Sequence, residues 1–397
     1  MHNLNALPIL ILKPGKERSF HNKHPWLFSG AVKQLPHARD GDIVAVSDAN
    51  KNVLGYGFYA PESQIVCRLF HFGNAFEDFT TEAYWMKKFE SAFAIRKVFI
   101  NGQRTDAYRL IHAEGDFFPG LIVDVYHDLA VVQLLVEGTG LLEAVFVKCL
   151  QNLGIKHIYL KSKGNTQNHD NTAQGSRWLT PPRETTLKIL EHGHTFGIDV
   201  ATGQKTGFFI DQRENRYLLQ RLSAGRKVLN TFCYTGGFSV YAMAGGASQV
   251  ISVDVSKTAI TRCEENIALN LHNIEQHKAI AADCFLYLRE NQETHDIIVV
   301  DPPAFAKNAK SVNNAARGYK DLNMLAFKKV NPQGMVITFS CSQHITKELF
   351  QKIVFAAAAD AGRNVRILQH LTQPEDHPVS IYHPEGAYLK GLLLWVE

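Results

Sequence analysis

The pattern of apolar and polar positions changes character twice along the chain. Over residues 1–73 it comes in short alternating or apolar runs, Ile9–Leu12, Ile43–Ser47, Gly55–Tyr59 and Val66–Phe70. Turn signals such as Lys13-Pro14-Gly15 and Asp40-Gly41-Asp42 part them, so this segment is predicted to be all-β. From Phe76 to Phe99 the spacing becomes helical, with Tyr84, Phe89, Phe93 and Val98 placed for one face. A β-rich stretch follows, in which Asp116–Gly120 reads as a turn and Leu121–Tyr126 with Ala130–Leu135 as a hairpin. Leu141–Leu153 reads as an amphipathic helix, and Thr186–Glu191 and His194–Val200 as strands. Residues 161–176 are polar, rich in Asn and Gly and without period, which predicts a mobile surface loop. A solvated loop tip is the simpler reading of its two lysines, RNA contact the other.

The last half alternates. Val228-Leu229 enters a Gly-rich turn at Gly236-Gly237, a helical segment runs to Ala244, and Val250–Val253 forms a second strand that ends in Asp254. After it come a helix over Lys257–Asn270, a strand ending at Asp283, a short helix to about Asn291 and the buried strand Asp296–Val300. A helix over Ala315–Val330, the strand Met335–Ser340, a helix over Thr346–Ala361 and strands at Val365–Leu371 and Leu392–Val396 complete the series. Such alternation predicts a doubly wound, mostly parallel sheet whose ligands sit beyond the carboxyl ends of its strands. Asp254, Asp283, Asp301 and Cys341 all fall at those ends. The expected class is therefore α/β: a Rossmann-like domain over residues 191–397, preceded by a small β-barrel (1–73) and a central α+β domain (74–190).

Composition narrows the field only slightly. At 397 residues the chain is too long for one ordinary domain, and its net charge of +4 permits a nucleic-acid partner without demanding one. Residues 1–73 hold eight Lys/Arg against five Asp/Glu, with Phe20, Trp26, Phe28, Tyr56 and Phe58 among them. Cations beside exposed aromatics suit an RNA backbone and unstacked bases, although aromatics of a small barrel more often fill its core. The six cysteines are scattered, with neither C-x-x-C nor Cys/His ligand spacing, so no disulfide framework and no metal site is expected, and a reducing cytoplasm is. Leu7–Leu12 is far too short for a signal segment or a membrane span, so no membrane association is expected.

The candidate chemistry centres on the strand–loop–helix–strand unit from Lys227 to Asp254. Its glycines allow close backbone approach, and an acid at the end of the second strand can accept both hydroxyls of a ribose. No G-x-G-x-x-G is present, which disfavours a pyrophosphate and with it a nicotinamide dehydrogenase. An adenosyl ligand without phosphates fits better, and S-adenosylmethionine (SAM) is the expected cofactor. Arg213 is a candidate for its carboxylate by planar bidentate pairing, the alternative being a capping segment before the helix Glu214–Leu222. Asp301-Pro302-Pro303 turns away from its strand because proline cannot continue the ladder, leaving carbonyls and a carboxylate to meet a planar base on which Phe305 can stack. Cys341 supplies a nucleophile on the neighbouring strand. Thiolate addition at C6 of cytosine makes C5 enamine-like, with Asp301 bonding the base near N3. The other reading of Cys341 is a core thiol.

These residues carry a family resemblance. Lys205-Thr206-Gly207 through Asp211-Gln212-Arg213, Tyr234-Thr235-Gly236-Gly237-Phe238, Asp301-Pro302-Pro303, Arg317–Asp321 and Phe339-Ser340-Cys341-Ser342 strongly resemble the bacterial 23S rRNA large-subunit methyltransferase I family. Asp376-His377-Pro378 and Tyr388-Leu389-Lys390-Gly391 look like that family too, and His24–Gly30 is similar to its PUA domain, an RNA-binding barrel. The resemblance implies a three-part chain that forms 5-methylcytosine in 23S rRNA with SAM. Its cofactor site would use Phe232, Tyr234, Thr235, Gly236, Asp254, Val255, Asp283, Cys284 and Asp301, with Cys341 as nucleophile and Pro302, Pro303 and Phe305 against the base. Ala304 stands where relatives often carry Lys, and residues 161–176 match poorly. A methyltransferase acting on a guanine nitrogen and a non-catalytic RNA-binding assembly protein are the alternatives; a homodimer is left open.

Overall fold

The structure, a computed structural model, describes residues 7–162, 175–272, 274–306 and 308–397. The expected loop at 161–176 therefore lies mostly outside the described residues. Internal contacts divide the chain into two units: one of Met1–Thr185 with Asp199–Phe208 and Glu375–Gly386, the other of Thr186–Ile198, Phe209–Pro374 and Ala387–Glu397. No helix among the described residues is long and apolar enough to cross a membrane.

In the first unit a six-stranded sheet runs in the order Trp26–Phe28, Ile65–Phe72, Val53–Tyr59, Ile43–Ser47, Ile9–Leu12, Val32–Gln34. A five-stranded sheet follows in the order Arg177–Trp178, His157–Leu160, Leu129–Leu134, Leu121–Tyr126, Ala107–His112. The barrel and central segments share a core, because Tyr56, Phe58 and Phe70 of the first pack against Trp85, Phe89 and Phe118 of the second. Phe20, Tyr56 and Phe58 are buried, whereas Phe28 stays 48% exposed. The helix expected from Phe76 begins only at Glu82, since Asp78 turns the chain by accepting from the amide and hydroxyl of Thr80. Val98, expected on its inner face, is 75% exposed; buried Arg96 takes the inner position instead. Arg96 bonds both oxygens of buried Asp116, at 2.5 and 2.7 Å, and the carbonyl of Asp376 at 2.8 Å. Arg109 pairs likewise with Asp124, at 2.7 and 2.8 Å, and its amide donates to the Asp376 carboxylate. Thr206 donates to Asp124 as well. These buried pairs explain why two segments that the sequence assigns to the last domain, around Thr206 and Asp376, fold with the first unit. Lys161 is buried with its ammonium on the Gly203 carbonyl, so this lysine is no RNA contact.

The second unit is a seven-stranded sheet. Its strands are β1 (Lys227–Thr231), β2 (Gln249–Asp254), β3 (His277–Ala281), β4 (His295–Val300), β5 (Val330–Ser340), β6 (Val365–Leu371) and β7 (Lys390–Val396), in the order β3-β2-β1-β4-β5-β7-β6. A helix over Arg213–Leu222 precedes β1, and the helices that follow are α1 (Gly237–Ala244), α2 (Lys257–Asn270), α3 (Cys284–Glu290), α4 (Val312–Lys329) and α5 (Lys347–Ala361). Strands β1 to β5 are parallel, and β7 runs antiparallel to both β5 and β6. The apolar run Ile297–Val300 is fully buried, as a strand covered on both faces must be. β5 starts five residues before the expected Met335, across a register shift in which Gln333 takes a left-handed φ of 63°.

Candidate active site

The strand register builds the site. Thr231 pairs with Val253 and Val300, and Val300 with Thr338, so Phe232, Asp254, Asp301 and Phe339 stand in one row at the carboxyl edge of the sheet, Asp254 still paired with β3 and Phe339 with β7. Cys341 lies two residues past that row.

The loop after β1 is held in shape by its own amides. Phe232, Tyr234 and Gly236 all take left-handed φ values, 55°, 48° and 81°. The Phe232 amide donates to the Cys284 sulfur at 3.2 Å, Cys233 to the Val253 carbonyl at 3.0 Å and Tyr234 to Asp254 Oδ2 at 2.9 Å. Amides spent this way cannot wrap a pyrophosphate, which agrees with the missing dinucleotide glycines. Gly236 is indispensable here, because a Cβ would stand 2.5 Å from the Cys263 sulfur. Burial pushes the Cys284 thiol up to about 12, so it stays protonated and supports the loop by donating to the Val253 carbonyl.

These groups fit an adenosyl ligand. Asp254 accepts the amides of Tyr234 and Ser256, one on each oxygen, which fixes a half-buried carboxylate at the end of β2 with lone pairs to spare. Val255 beside it is 73% exposed, an apolar surface for a flat ring. Asp283 is exposed and caps α3 through Oδ1, which accepts from the Leu286 amide. Thr235 is half-buried in the loop. Arg213, the expected partner of the cofactor carboxylate, is 1% exposed, and its Nε donates to Glu214 at 3.1 Å.

The Asp301 and Cys341 segments meet through Ser342. Its buried hydroxyl accepts the Ala306 amide at 3.1 Å and lies 2.9 Å from the Tyr319 hydroxyl, while its carbonyl accepts from Lys390 at 2.7 Å. Asp301 is half-buried, Pro302 buried and Pro303 exposed. Phe305 packs on Tyr319 with ring centroids 4.7 Å apart, which leaves it only partly accessible. Two groups that the sequence shows only as members of motifs, without a role, join the site. Gln212 donates to Asp301 Oδ2 at 3.0 Å and is itself held by Asn215 at 2.7 Å. Tyr388 donates to Asp211 at 2.7 Å and so fixes the turn that leads into β7. Among the described residues no three His, Cys, Asp or Glu side chains converge as a metal site.

The sheet order and the row of acids define a SAM-dependent methyltransferase. Residues 108–378 match the S-adenosylmethionine-dependent methyltransferase family and residues 10–72 a PUA-like domain. A ribosomal RNA large subunit methyltransferase I from Tolumonas auensis is 41% identical over 96% of this chain and 98% of its own. One from Klebsiella pneumoniae is 38% identical over 98% of each. Among solved structures, a methyltransferase complexed with SAH superposes with a TM-score of 0.83 at 25% identity over 98% of this chain and 99% of its own. The chain belongs to the ribosomal RNA large subunit methyltransferase I family.

Proposed function

We propose that the protein methylates C5 of a cytosine in 23S rRNA, with Cys341 as the nucleophile that activates the ring. The 41% identity to a named large-subunit rRNA methyltransferase over nearly the whole chain supports the RNA substrate, and an rRNA substrate supports action in the cytoplasm. The observation that carries the cytosine reading is the thiol. Of the six cysteines five are buried, and the accessible one is Cys341, past the end of β5 and one strand from Asp301.

Cytosine C5 is too weak a nucleophile to be alkylated directly, whereas a guanine nitrogen needs no such help. The Cys341 thiolate adds to C6, and the electron pair of the ring is displaced towards C5. Asp301, oriented by Gln212, holds the edge of the base near N3 by accepting from the exocyclic amine beside it. Bound SAM supplies the electrophilic sulfonium methyl. Asp254, Val255, Asp283 and the Phe232–Gly236 loop hold its adenosyl end, so that binding alone brings the reacting groups together, worth ~7–11 kcal/mol in well-aligned cases. C5 then bonds the methyl as the methyl–sulfur bond of the donor breaks and the demethylated thioether leaves. Loss of the C5 proton to a base re-forms the C5–C6 double bond and expels the Cys341 sulfur.

Nucleoside mass spectrometry of 23S rRNA incubated with protein and SAM tests the reading. It expects 5-methylcytosine with the intact chain and none with Cys341→Ala, which should still bind SAM. A methyl group on a guanine nitrogen, or full activity of the variant, would replace it.

A further inference from the structure

Lys390 is an unusual residue. It is only 4% exposed, and among the described residues no carboxylate pairs with its ammonium. Its Nζ donates to the carbonyls of Ser342 at 2.7 Å and Tyr388 at 2.6 Å, which uses two of three protons. A buried cation without an anion is costly, and such groups are retained where an anion forms beside them. Here the register names the neighbour. β7 lies antiparallel to β5 with Lys390 opposite Ser340, and the side chain then reaches Ser342. The backbone of Lys390 thus sits beside the residue before Cys341, and its ammonium beside the residue after it.

We propose that Lys390 is a positioning residue for methyl transfer, its ammonium holding Cys341 as the thiolate that adds to the base. The proposal rests on Cys341 being the nucleophile. Its proton goes to solvent before the base enters. The sulfur lone pair then forms the S–C6 bond while the ammonium keeps its own three protons, and elimination returns the pair to sulfur at the end of the cycle. Ser342 and Tyr388 fix the ammonium through their carbonyls, and Tyr388 is itself tied to Asp211.

The charged and titratable groups around Lys390 agree with this role. Burial draws its amine down to about 8, Cys341 pulls it back up, and Lys347 at the start of α5 pushes it down. The attraction is reciprocal, so what favours the ammonium favours the thiolate. Tyr319 faces the same end of β5, and burial keeps its hydroxyl protonated. The thiolate–ammonium pair therefore exists in a window closed on the alkaline side, where Lys390 loses its proton near pH 8.

The test uses the full chain. Iodoacetamide labelling of Cys341, read on its tryptic peptide as a function of pH, should give a wild-type midpoint below the ordinary thiol value of about 8.5. In Lys390→Met the midpoint should rise by about one pH unit or more, with roughly tenfold less labelling at neutral pH. Lys390→Arg should keep the low midpoint. Single-turnover methylation by Lys390→Met should fall at least about tenfold near pH 7 and recover as the pH is raised, with SAM affinity unchanged, a recovery that a merely structural role would not produce. A wild-type midpoint at or above about 8.5 overturns the proposal and needs no variant to fold. So does an unmoved midpoint in Lys390→Met that binds SAM normally. If Cys341→Ala methylates at full rate while the labelling midpoint is low and shifts with Lys390, the nucleophile reading fails and the ion pair stands.

Discussion

Gly236→Ala perturbs the ligand loop at its tightest point. Two costs can be worked from the geometry. A φ of 81° puts the new side chain in the left-handed region, costing about 1–2 kcal/mol. Its Cβ would also meet the Cys263 sulfur at 2.5 Å, Cβ at 3.1 Å and Cα at 3.2 Å, and overpacking of this kind costs about 1–3 kcal/mol. Gly225 provides the control. Its φ is 70° but nothing lies within 4 Å of a Cβ there, so Gly225→Ala should show the backbone cost alone. Thermal unfolding and calorimetric titration with SAM read the two together. A loop that stays in place lowers the Tm by several degrees, at about 2–4 °C per kcal/mol for a unit of this size. A loop that moves weakens SAM binding instead, tenfold for each ~1.4 kcal/mol. Cys263→Ala in the same chain should recover part of the packing cost and none of the backbone cost. Equal effects at Gly225 and Gly236, or unchanged Tm and Kd in Gly236→Ala, would refute the reasoning.

Gln212→Leu removes the donor that orients Asp301, and kcat should fall about tenfold while calorimetry shows SAM affinity within about twofold of wild type. Arg96→Met leaves the Asp116 carboxylate buried without its partner; chemical denaturation should report a loss of about 3–5 kcal/mol, as expected when one member of a buried pair is removed. His112 is held neutral, its pKa drawn well below the ordinary value by burial first and then by Arg109. The unfolded chain takes a proton at His112 as pH falls through about 6.5 and the folded chain does not, so stability should decline below that pH. His112→Asn should flatten that part of the profile measured by urea unfolding.

Much of the catalytic half is legible in the sequence because its signals are local. Period-2 and period-3.6 runs separate strands from helices, and the reactive residues follow directly on the strands. Strand direction is not local, and so the antiparallel setting of β6 and β7 and the pairing of Lys390 with Ser340 come only from the structure. The sequence predicts a helix to Val330 and a strand only from Met335, yet a left-handed Gln333 carries the chain through a shift within β5, which begins at Val330. The fate of an arginine is equally hidden. Arg213 has the chemistry to hold a carboxylate ligand, and the structure adds that a carboxylate one residue away bonds its Nε while the side chain is buried. Arg96 occupies an inner helix position for the same reason, with Asp116 as partner twenty residues on. Gln212 stands in a motif but carries no charge that points to a role; its distance to Asp301 supplies one.

The central claim concerns a single bond, from the Cys341 sulfur to C6 of the target base. RNA carrying 5-fluorocytosine cannot release the sulfur after methyl transfer, because fluorine replaces the proton that must leave. Incubated with the protein and SAM, such RNA should give a covalent complex stable to denaturation, whose tryptic digest carries the nucleotide on the Cys341 peptide and which Cys341→Ala cannot form. Turnover of unmodified RNA with no trapped complex, or a complex attached at any other residue, would contradict the account.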